Sequence, residues 1–277
     1  MGRRPRIEYY GAIYHIIQRG NNRKPIFKRD EDKVYLLEVL SETKEIYDFK
    51  VFAYVVMSNH YHFLIQTLNI PISKIMHQIN TRYAKYYNNS TGNTGPVFED
   101  RYKGILVQDE SYLIALIKYI HNNPVAAKIC PTMEEYRWSS DMFYRVNMDN
   151  IVDIDELLDM LSPNRIDAIR RYAELMEEDD LEYQVMKDMY EERDIIGKEE
   201  FIQSLKEEEE VLALDEILKA ACPTSVEYDL IKSGSRKRYL SKYKREYIAL
   251  SRKEGYSYET IGEYIGITAA AARSLVR

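Results

Sequence analysis

The sequence predicts an α+β protein: a ferredoxin-like antiparallel sheet with helices on one face, followed by an all-helical region and a C-terminal helix-turn-helix. Three observations favour this class. Strand-like and helix-like segments alternate over residues 1–145, hydrophobic spacing is wholly helical over residues 146–232, and residues 233–277 end in two short helices joined through a glycine. These three ranges are the predicted domains.

The first elements of the sheet domain have clear boundaries. Ala12–Ile17 is an apolar strand, and Gly20 allows the chain to turn after it. Residues 30–47 form a helix whose first turn is acidic, as the helix dipole favours. Residues 51–57 then have the pattern of a buried strand, and residues 60–66 that of its antiparallel partner across a tight turn.

A second helix, a strand and a third helix complete this domain. Pro71 opens the second helix, which ends in the polar loop 88–96. Residues 97–107 contain the last strand, and residues 111–122 form a helix. We expect Pro124 to stop that helix, because its ring disfavours helical backbone in the preceding residue. The resulting order of strands and helices is that of a ferredoxin-like sheet with one open face.

The net charge of −6 conceals an uneven distribution. The predicted domains carry net charges of +5, −17 and +6 in chain order. Two basic blocks that flank an acidic one suggest two surfaces for a polyanion such as nucleic acid. The alternative is that the acidic block is an ordinary solvated helical surface, and charge alone leaves both possibilities open.

The sequence contains no sign of a membrane or secreted protein. No apolar run approaches the roughly 20 residues that span a bilayer, and the basic N-terminus leads into a short strand rather than a signal peptide. Cys130 and Cys222 lie far apart and outside any CxxC pattern, so we expect free thiols rather than a zinc site or a disulfide. We therefore predict a cytoplasmic protein.

The C-terminal domain resembles a helix-turn-helix. Gly266 lets the chain turn and Thr268 can cap the next helix. The predicted inward-facing residues are Ile261, Ile265, Ile267, Ala272 and Val276. The last helix would enter a major groove of duplex DNA and present Arg273 among alanines, which favours backbone contact over base reading. A small helical packing module without a role in DNA binding is the alternative.

Two histidines separated by one residue are the most informative chemical feature of the chain. His60 and His62 lie on a predicted strand, where side chains two positions apart project from the same face. That arrangement suits a divalent metal ion. A polar, solvent-facing strip of the sheet is the alternative interpretation of the same two residues.

A tyrosine and an amide on the third helix add to this feature. Tyr119 lies off the apolar stripe of that helix, and Asn123 follows four residues later, so the two side chains lie on the same side. The chain has 25 tyrosines, however, so this spacing alone does not identify a catalytic one.

Five ordered motifs relate the sequence to a known family. Over roughly residues 5–145 the sequence resembles the REP-associated tyrosine transposases, which belong to the single-tyrosine HUH superfamily and are similar to insertion-sequence transposases. The motifs occur in the family's order at residues 19–27, 57–62, 98–103, 119–124 and 136–140. The sequence departs from the family pattern at Ser58, where proline is usual, at Asn122, and at residues 126–128. None of these departures removes a residue proposed for the site.

The resemblance implies a metal-dependent enzyme that cleaves and rejoins DNA. It makes His60, His62 and Asn123 the metal ligands, with Mg²⁺ or Mn²⁺ as the metal, and Tyr119 the nucleophile that forms a 5′-phosphotyrosine. Free tyrosine has a pKa near 10, so the phenol needs activation by the metal or a nearby cation. The implied substrate is single-stranded DNA displayed beside a hairpin.

The resemblance also implies which loops meet DNA. It brings a set of basic and amide side chains near the open face of the sheet, where guanidinium and ammonium groups suit phosphates. The candidates are Arg19, Asn21, Arg23, Arg101 and Lys103. Ordinary solvated loop charge is the alternative. His15 on the first strand also fits the family pattern, and we expect it only to pack.

Two other functions use the same features. A replication-initiator or relaxase-like nicking enzyme would carry out the same chemistry on another DNA substrate. A non-catalytic DNA-binding regulator would keep the fold and act through the terminal module. The regulator hypothesis predicts loss of site residues, yet all four are present, so catalysis is favoured. The expected assembly is a monomer or a homodimer without a membrane partner.

Overall fold

The structure, a computed structural model, describes residues 7–178, 188, 190, 193–208 and 214–276. Packing divides the chain into two compact units, one of residues 7–202 and the other built mainly from residues 203–277. The predicted domain boundaries, which follow charge and pattern rather than packing, stay a prediction. No helix in the described part of the chain is long and apolar enough to cross a bilayer.

The first unit is built around a five-stranded sheet in the order β2-β3-β1-β4-β5. The first four strands pair antiparallel, and their order is that of the ferredoxin-like plan, so the predicted α+β class is confirmed. β5 pairs parallel with β4 and comes from a region predicted to be all helical. The strands are β1 (Ile13–Arg19), β2 (Phe49–Val56), β3 (His60–Thr67), β4 (Lys103–Val107) and β5 (Ile195–Ile196).

Helices cover both faces of this sheet. The first face carries α1 (Asp30–Tyr47) and α2 (Ile72–Thr91), and there the Tyr61 hydroxyl of β3 donates to Asn80 of α2 at 2.6 Å. The opposite face carries α3 (Leu113–Ala126). The prediction of one open face is therefore wrong. β2 and β3 are buried along nearly their whole length, which is typical of strands covered on both sides.

The third helix runs past its proline. Pro124 lies inside α3, and the helix ends at Ala126, where the Ala127 amide donates to the Asn123 carbonyl at 2.9 Å. The prediction that Pro124 stops the helix at residue 122 is wrong. Proline this close to the end removes only one helical hydrogen bond, and Lys128 then takes a left-handed conformation with φ 57° that ends the turn.

Among the described residues, three further helices follow α3 in the first unit and a fourth begins there and continues past residue 202. Two of these helices meet α3 in a buried polar network. His121 of α3 lies 2.9 Å from the Tyr172 hydroxyl and 2.7 Å from the Ser140 hydroxyl, and Tyr172 donates to Asp141 at 2.7 Å. Because every member is buried and partnered, the network fixes α3 against the region behind it. The helices are α4 (Asp141–Arg145), α5 (Asp155–Leu161), α6 (Arg165–Glu177) and α7 (Glu199–Glu208).

The second unit is helical around one apolar core. That core contains Tyr247, Ile261, Ile265 and Ala272, so three of the five predicted inward-facing residues are buried in it. Ile267 packs against the core partly buried, whereas the prediction for Val276 is wrong, because its side chain is exposed at the end of the last helix. Gly266 joins those helices at φ +66°, and the Thr268 hydroxyl accepts from the Ala271 amide at 3.2 Å. The helices are α8 (Leu214–Ala221), α9 (Ser225–Lys232), α10 (Ser241–Lys253), α11 (Tyr258–Tyr264) and α12 (Ala269–Leu275).

Candidate functional site

The two alternate histidines share one face at the start of β3. Their ring centroids lie 5.1 Å apart. Arg19, the last residue of β1, is the pairing partner of His60, and residues opposite each other in an antiparallel pair face the same side. The histidine pair therefore lies beside a guanidinium group at one end of the sheet.

Each of these histidines has one ring nitrogen engaged inside the protein. His60 Nδ1 lies 2.6 Å from the Asn59 side-chain oxygen, so this nitrogen donates and Nε2 keeps its lone pair. His62 Nδ1 lies 2.9 Å from Nε2 of His15. His62 Nε2 is buried and has no hydrogen-bond partner among the described residues. An unpartnered buried nitrogen is costly, so the site fits a ligand such as a metal ion.

Burial keeps all three of these imidazoles uncharged. Desolvation, together with the smaller effect of the positive charge of Arg19, lowers the pKa of His60 to about 4. Burial also lowers the pKa of His62 well below its usual value, helped by His60, His15 and Arg19. For His15, burial and the charge of Lys103 lower the pKa to about 3. At neutral pH the imidazoles are therefore in the form that binds metals.

Tyr119 of α3 packs against this histidine cluster. Its ring lies edge-on to His62, with centroids 6.0 Å apart, and edge-on to His15 at 5.8 Å. The side chain is only 1% exposed. A second tyrosine, Tyr190, lies edge-on to Tyr119 with centroids 5.1 Å apart and is itself buried. The fold thus brings Tyr119 to the histidines and covers its ring with another aromatic side chain.

Asn123 lies one turn after Tyr119 on the same helix. Its amide nitrogen donates to the Tyr119 carbonyl at 2.8 Å, so the hydrogen bond uses the nitrogen and not the oxygen that would bind a metal. Within the described residues, no group of three or more His, Cys, Asp and Glu side chains could hold a metal. A metal here would therefore rely on the two imidazoles together with amide, water or phosphate oxygens.

The predicted DNA-contacting residues of the first unit are positioned by β1, β4 and the loops at their ends. Lys103 of β4 pairs with Ile17, which also pairs with His62, so Lys103 faces the histidine side. Asn21 and Arg23 form a short 3₁₀ helix directly after β1, and Arg101 is exposed just before β4. Arg273 belongs to α12 in the second unit, where it lies over the Tyr258 ring at 5.3 Å.

A glycine shapes the loop that follows β1. A Cβ atom on Gly20 would lie 2.4 Å from the Lys24 carbonyl oxygen, which is too close for any side chain. The absence of a side chain lets the backbone fold back on itself directly after Arg19. The loop of Asn21 and Arg23 therefore stays next to the histidine pair instead of extending away.

Acidification is expected to destabilise the protein through its buried histidines. An unfolded histidine binds a proton near pH 6.5, whereas the folded-state pKa is about 3 for His15 and about 4 for His121, in both cases chiefly because of burial. A histidine with a lowered folded-state pKa leaves the free energy of unfolding at its full value above pH 6.5. As the pH falls from 6.5 towards 4, the unfolded chain binds a proton that the folded protein does not, and the free energy of unfolding decreases. Each such histidine contributes about 1.4 kcal/mol per pH unit to the slope.

Urea unfolding at pH 7, 6 and 5, followed by circular dichroism, measures this loss. Replacing exposed His77 of α2 with alanine provides the control and should leave the slope as it is in the wild type. A free energy of unfolding that stays level from pH 7 to pH 5 would contradict neutral burial of these histidines.

Three residues of the site were not assigned to it from the sequence. His15, expected only to pack, touches both His62 and Tyr119, and Asn59 orients His60. The pairing of β1 with β3 explains the position of His15: His15 pairs with Leu64 and therefore faces the same side of the sheet as His62. Tyr190 had no such signal, because it lies in the acidic region outside the resemblance.

Residues 8–123 match the family model described as "Transposase IS200 like". The matched segment contains β1 to β4, the histidine pair and Tyr119, and it reaches Asn123. This segment is similar to the IS200-like transposases, so the resemblance inferred from the motifs is confirmed over residues 8–123.

Two solved structures are similar to this chain. One is described as the REP-associated tyrosine transposase bound to a REP hairpin; it is 16% identical, and the match covers 56% of this chain and 93% of that one with a TM-score of 0.46. The other is described as a candidate transposase from Deinococcus radiodurans R1, with 19% identity, 44% and 97% coverage and a TM-score of 0.32. No curated protein matches the chain.

Proposed function

We propose that this protein is a metal-dependent transposase that cleaves and rejoins single-stranded DNA near hairpins through a 5′-phosphotyrosine on Tyr119. One observation carries the proposal. Tyr119 packs edge-on against His62, a neutral histidine whose buried Nε2 has no hydrogen-bond partner in the described part of the chain, and His62 shares its strand face with His60. The match of residues 8–123 to the IS200-like transposase family model supports the same reaction class.

In the proposed cleavage step, the phenol oxygen of Tyr119 attacks the scissile phosphorus. The bond from phosphorus to the 3′ oxygen breaks, the phenol gives up its proton to solvent, and the leaving 3′ oxygen takes up a proton from solvent. The products are a 5′-phosphotyrosine and a free 3′-hydroxyl. Because the covalent link keeps the phosphodiester energy, a 3′-hydroxyl can reverse the step, which gives strand transfer rather than hydrolysis.

His60 and His62 would hold the divalent metal, with Asn123 as a further ligand through its amide oxygen. When bound, Mg²⁺ or Mn²⁺ would stabilise the negative charge that builds on a phosphate oxygen. Arg19 beside His60 supplies a fixed positive charge that attracts the phosphate to the same place. Lys103, Asn21, Arg23 and Arg101 would hold the flanking DNA backbone from the adjoining loops.

The test is incubation of the full chain with end-labelled single-stranded hairpin DNAs and Mn²⁺. We expect a labelled protein–DNA adduct that survives denaturing electrophoresis and is absent when EDTA removes the metal. Binding to hairpins without any adduct, over a panel of hairpins, would contradict the proposal and favour the regulator hypothesis. Adduct formation without joining to a second DNA end would favour the nicking enzyme.

The second unit suggests an additional contact with duplex DNA. α11 and α12 are joined by a glycine turn, and α12 begins with a capped first turn and carries Arg273. We propose that α12 binds a major groove as the second helix of a helix-turn-helix. Arg273→Ala should weaken binding of duplex DNA in a gel-shift assay, while adduct formation on a short single-stranded hairpin stays at the wild-type level.

Removing the Tyr190 ring is expected to speed adduct formation. Since Tyr119 is 1% exposed and its ring touches Tyr190, a DNA strand must displace a side chain to reach the phenol. Tyr190→Ala should therefore raise the rate of adduct formation several-fold, whereas Tyr190→Phe keeps the ring and should behave as the wild type. Equal rates in the alanine variant and the wild type would show that Tyr190 does not limit access.

A further inference from the structure

His15 is a buried histidine that the proposed reaction leaves without a role. It lies on β1, is fully buried, and has its Nε2 2.9 Å from Nδ1 of His62. The two rings are nearly parallel, with centroids 5.2 Å apart and an angle of 19° between their planes. Strand pairing places it there, because His15 pairs with Leu64 and therefore faces the same side as His62.

The hydrogen bond between these two rings has two possible directions. If His62 Nδ1 donates its proton to His15, the lone pair of His62 lies on Nε2, where a metal can bind. If His15 donates instead, the proton of His62 lies on Nε2 and blocks that position. The direction of one buried hydrogen bond thus decides whether His62 can be a ligand.

We propose that His15 is a positioning residue for the metal site: it accepts the Nδ1 proton of His62 and so holds the Nε2 lone pair of His62 in the ligand position. This inference rests on the proposed function, since it assumes that His62 binds the metal. Asn59 does the same for His60 through its side-chain oxygen. Both predicted ligands then offer Nε2 to the metal, and each ring is oriented by a hydrogen bond at its Nδ1. Such outer partners typically change metal affinity by about 10- to 100-fold.

The structure offers a reason for an imidazole at this position. The Tyr119 ring also packs against His15, with ring centroids 5.8 Å apart, so a flat acceptor fits against both His62 and the tyrosine. A neutral His15 satisfies His62 without bringing a negative charge next to the incoming phosphate. A carboxylate could accept the same proton, but its charge would repel DNA.

The test measures Mn²⁺ binding to the full chain without DNA, by electron paramagnetic resonance. His15→Leu removes the acceptor and should weaken Mn²⁺ binding by about 10- to 100-fold. His15→Gln offers an amide oxygen to His62 Nδ1. Its Mn²⁺ affinity should stay within about threefold of the wild-type affinity, which is small beside the roughly 10- to 100-fold effect of losing the acceptor. A role in packing alone predicts no such rescue by the polar variant.

Nitrogen-15 NMR of the imidazoles supplies a second measurement that needs no variant. In the folded wild type, His62 should carry its proton on Nδ1; a proton on Nε2 would overturn the inference even if His15→Leu failed to fold. If the wild type binds Mn²⁺ and His15→Leu binds it equally tightly, the role of His15 is refuted while the metal site stands. If the wild type itself binds no Mn²⁺, the proposed metal site and the role of His15 both fail.

Discussion

Replacing Tyr119 with phenylalanine will abolish the covalent adduct between protein and DNA. The substitution removes only the attacking oxygen and keeps the ring that packs against His15, His62 and Tyr190. The fold and hairpin binding should therefore persist. Loss of a nucleophile in other enzymes lowers the turnover rate by up to about a millionfold, so we expect the rate of adduct formation to fall by at least roughly ten-thousandfold.

The matched control for this experiment is Tyr190→Phe. Tyr190 is the neighbouring tyrosine in contact with Tyr119, so it is the most direct competitor for the role of nucleophile. The phenylalanine variant should form the adduct at the wild-type rate. Peptide mapping of the wild-type adduct should place the DNA on Tyr119. An adduct of equal yield in Tyr119→Phe would refute the assignment, and mapping would then identify the true nucleophile.

Replacing His62 with alanine is expected to remove the proposed metal site. His62 contributes the buried Nε2 that lacks a partner among the described residues, and its neutral state makes that nitrogen available. Without it, a metal would keep one imidazole and an amide, which bind Mg²⁺ or Mn²⁺ weakly. We expect Mn²⁺ affinity to fall by at least about 100-fold, because a direct ligand matters at least as much as the outer partners that change affinity by 10- to 100-fold.

His62→Ala also leaves a small cavity, so the free energy of unfolding must be measured together with Mn²⁺ affinity. His62 is buried and loses its hydrogen bond to His15, for which we expect a cost of about 1–3 kcal/mol in the free energy of unfolding. His77→Ala, on the exposed surface of α2, should leave both stability and Mn²⁺ binding as they are in the wild type. A folded His62→Ala protein that binds Mn²⁺ as tightly as the wild type would contradict the proposed ligand.

The sheet was largely predictable because most of its strands have local sequence patterns that indicate them. A continuous apolar run such as residues 51–57, followed by a turn and a second strand, indicates a hairpin without any knowledge of distant residues. The covering of the second face was not predictable in the same way. It depends on α3 and the helices behind it folding back over β2 and β3, which the local pattern of α3 does not specify.

β5 shows the limit of local pattern most clearly. It consists of Ile195 and Ile196 alone, inside a strongly acidic region, and two apolar residues are too few to signal a strand. β5 is positioned by the edge of β4 that does not pair with β1. There the backbone amide of Gln108 donates to the Ile196 carbonyl at 2.8 Å. An edge strand of this kind forms only once the edge it joins exists.

In contrast to β5, the position of Asn123 was predictable from the sequence. Its spacing from Tyr119 predicts that both lie on one side of a helix, and they do. The amide does lie one turn beyond the tyrosine, and it even bonds to the tyrosine carbonyl. Spacing does not say, however, which of its two polar atoms is turned towards a metal. The role of Asn123 as a ligand therefore stays a prediction, and an Asn123→Asp variant with altered Mn²⁺ affinity would support it.

The sequence by itself determined the α+β class, the alternate histidines on one strand face, the tyrosine on the third helix, and the motifs over roughly residues 5–145 that resemble those of the REP-associated tyrosine transposases. The first three features depend on periodicity and spacing, which local backbone geometry converts directly into faces. Only the tertiary structure decided that His15 meets His62, that Tyr119 meets both, and that Tyr190 covers Tyr119. The physical reason is that such contacts arise from strand register and long-range packing, for which no single segment carries the information.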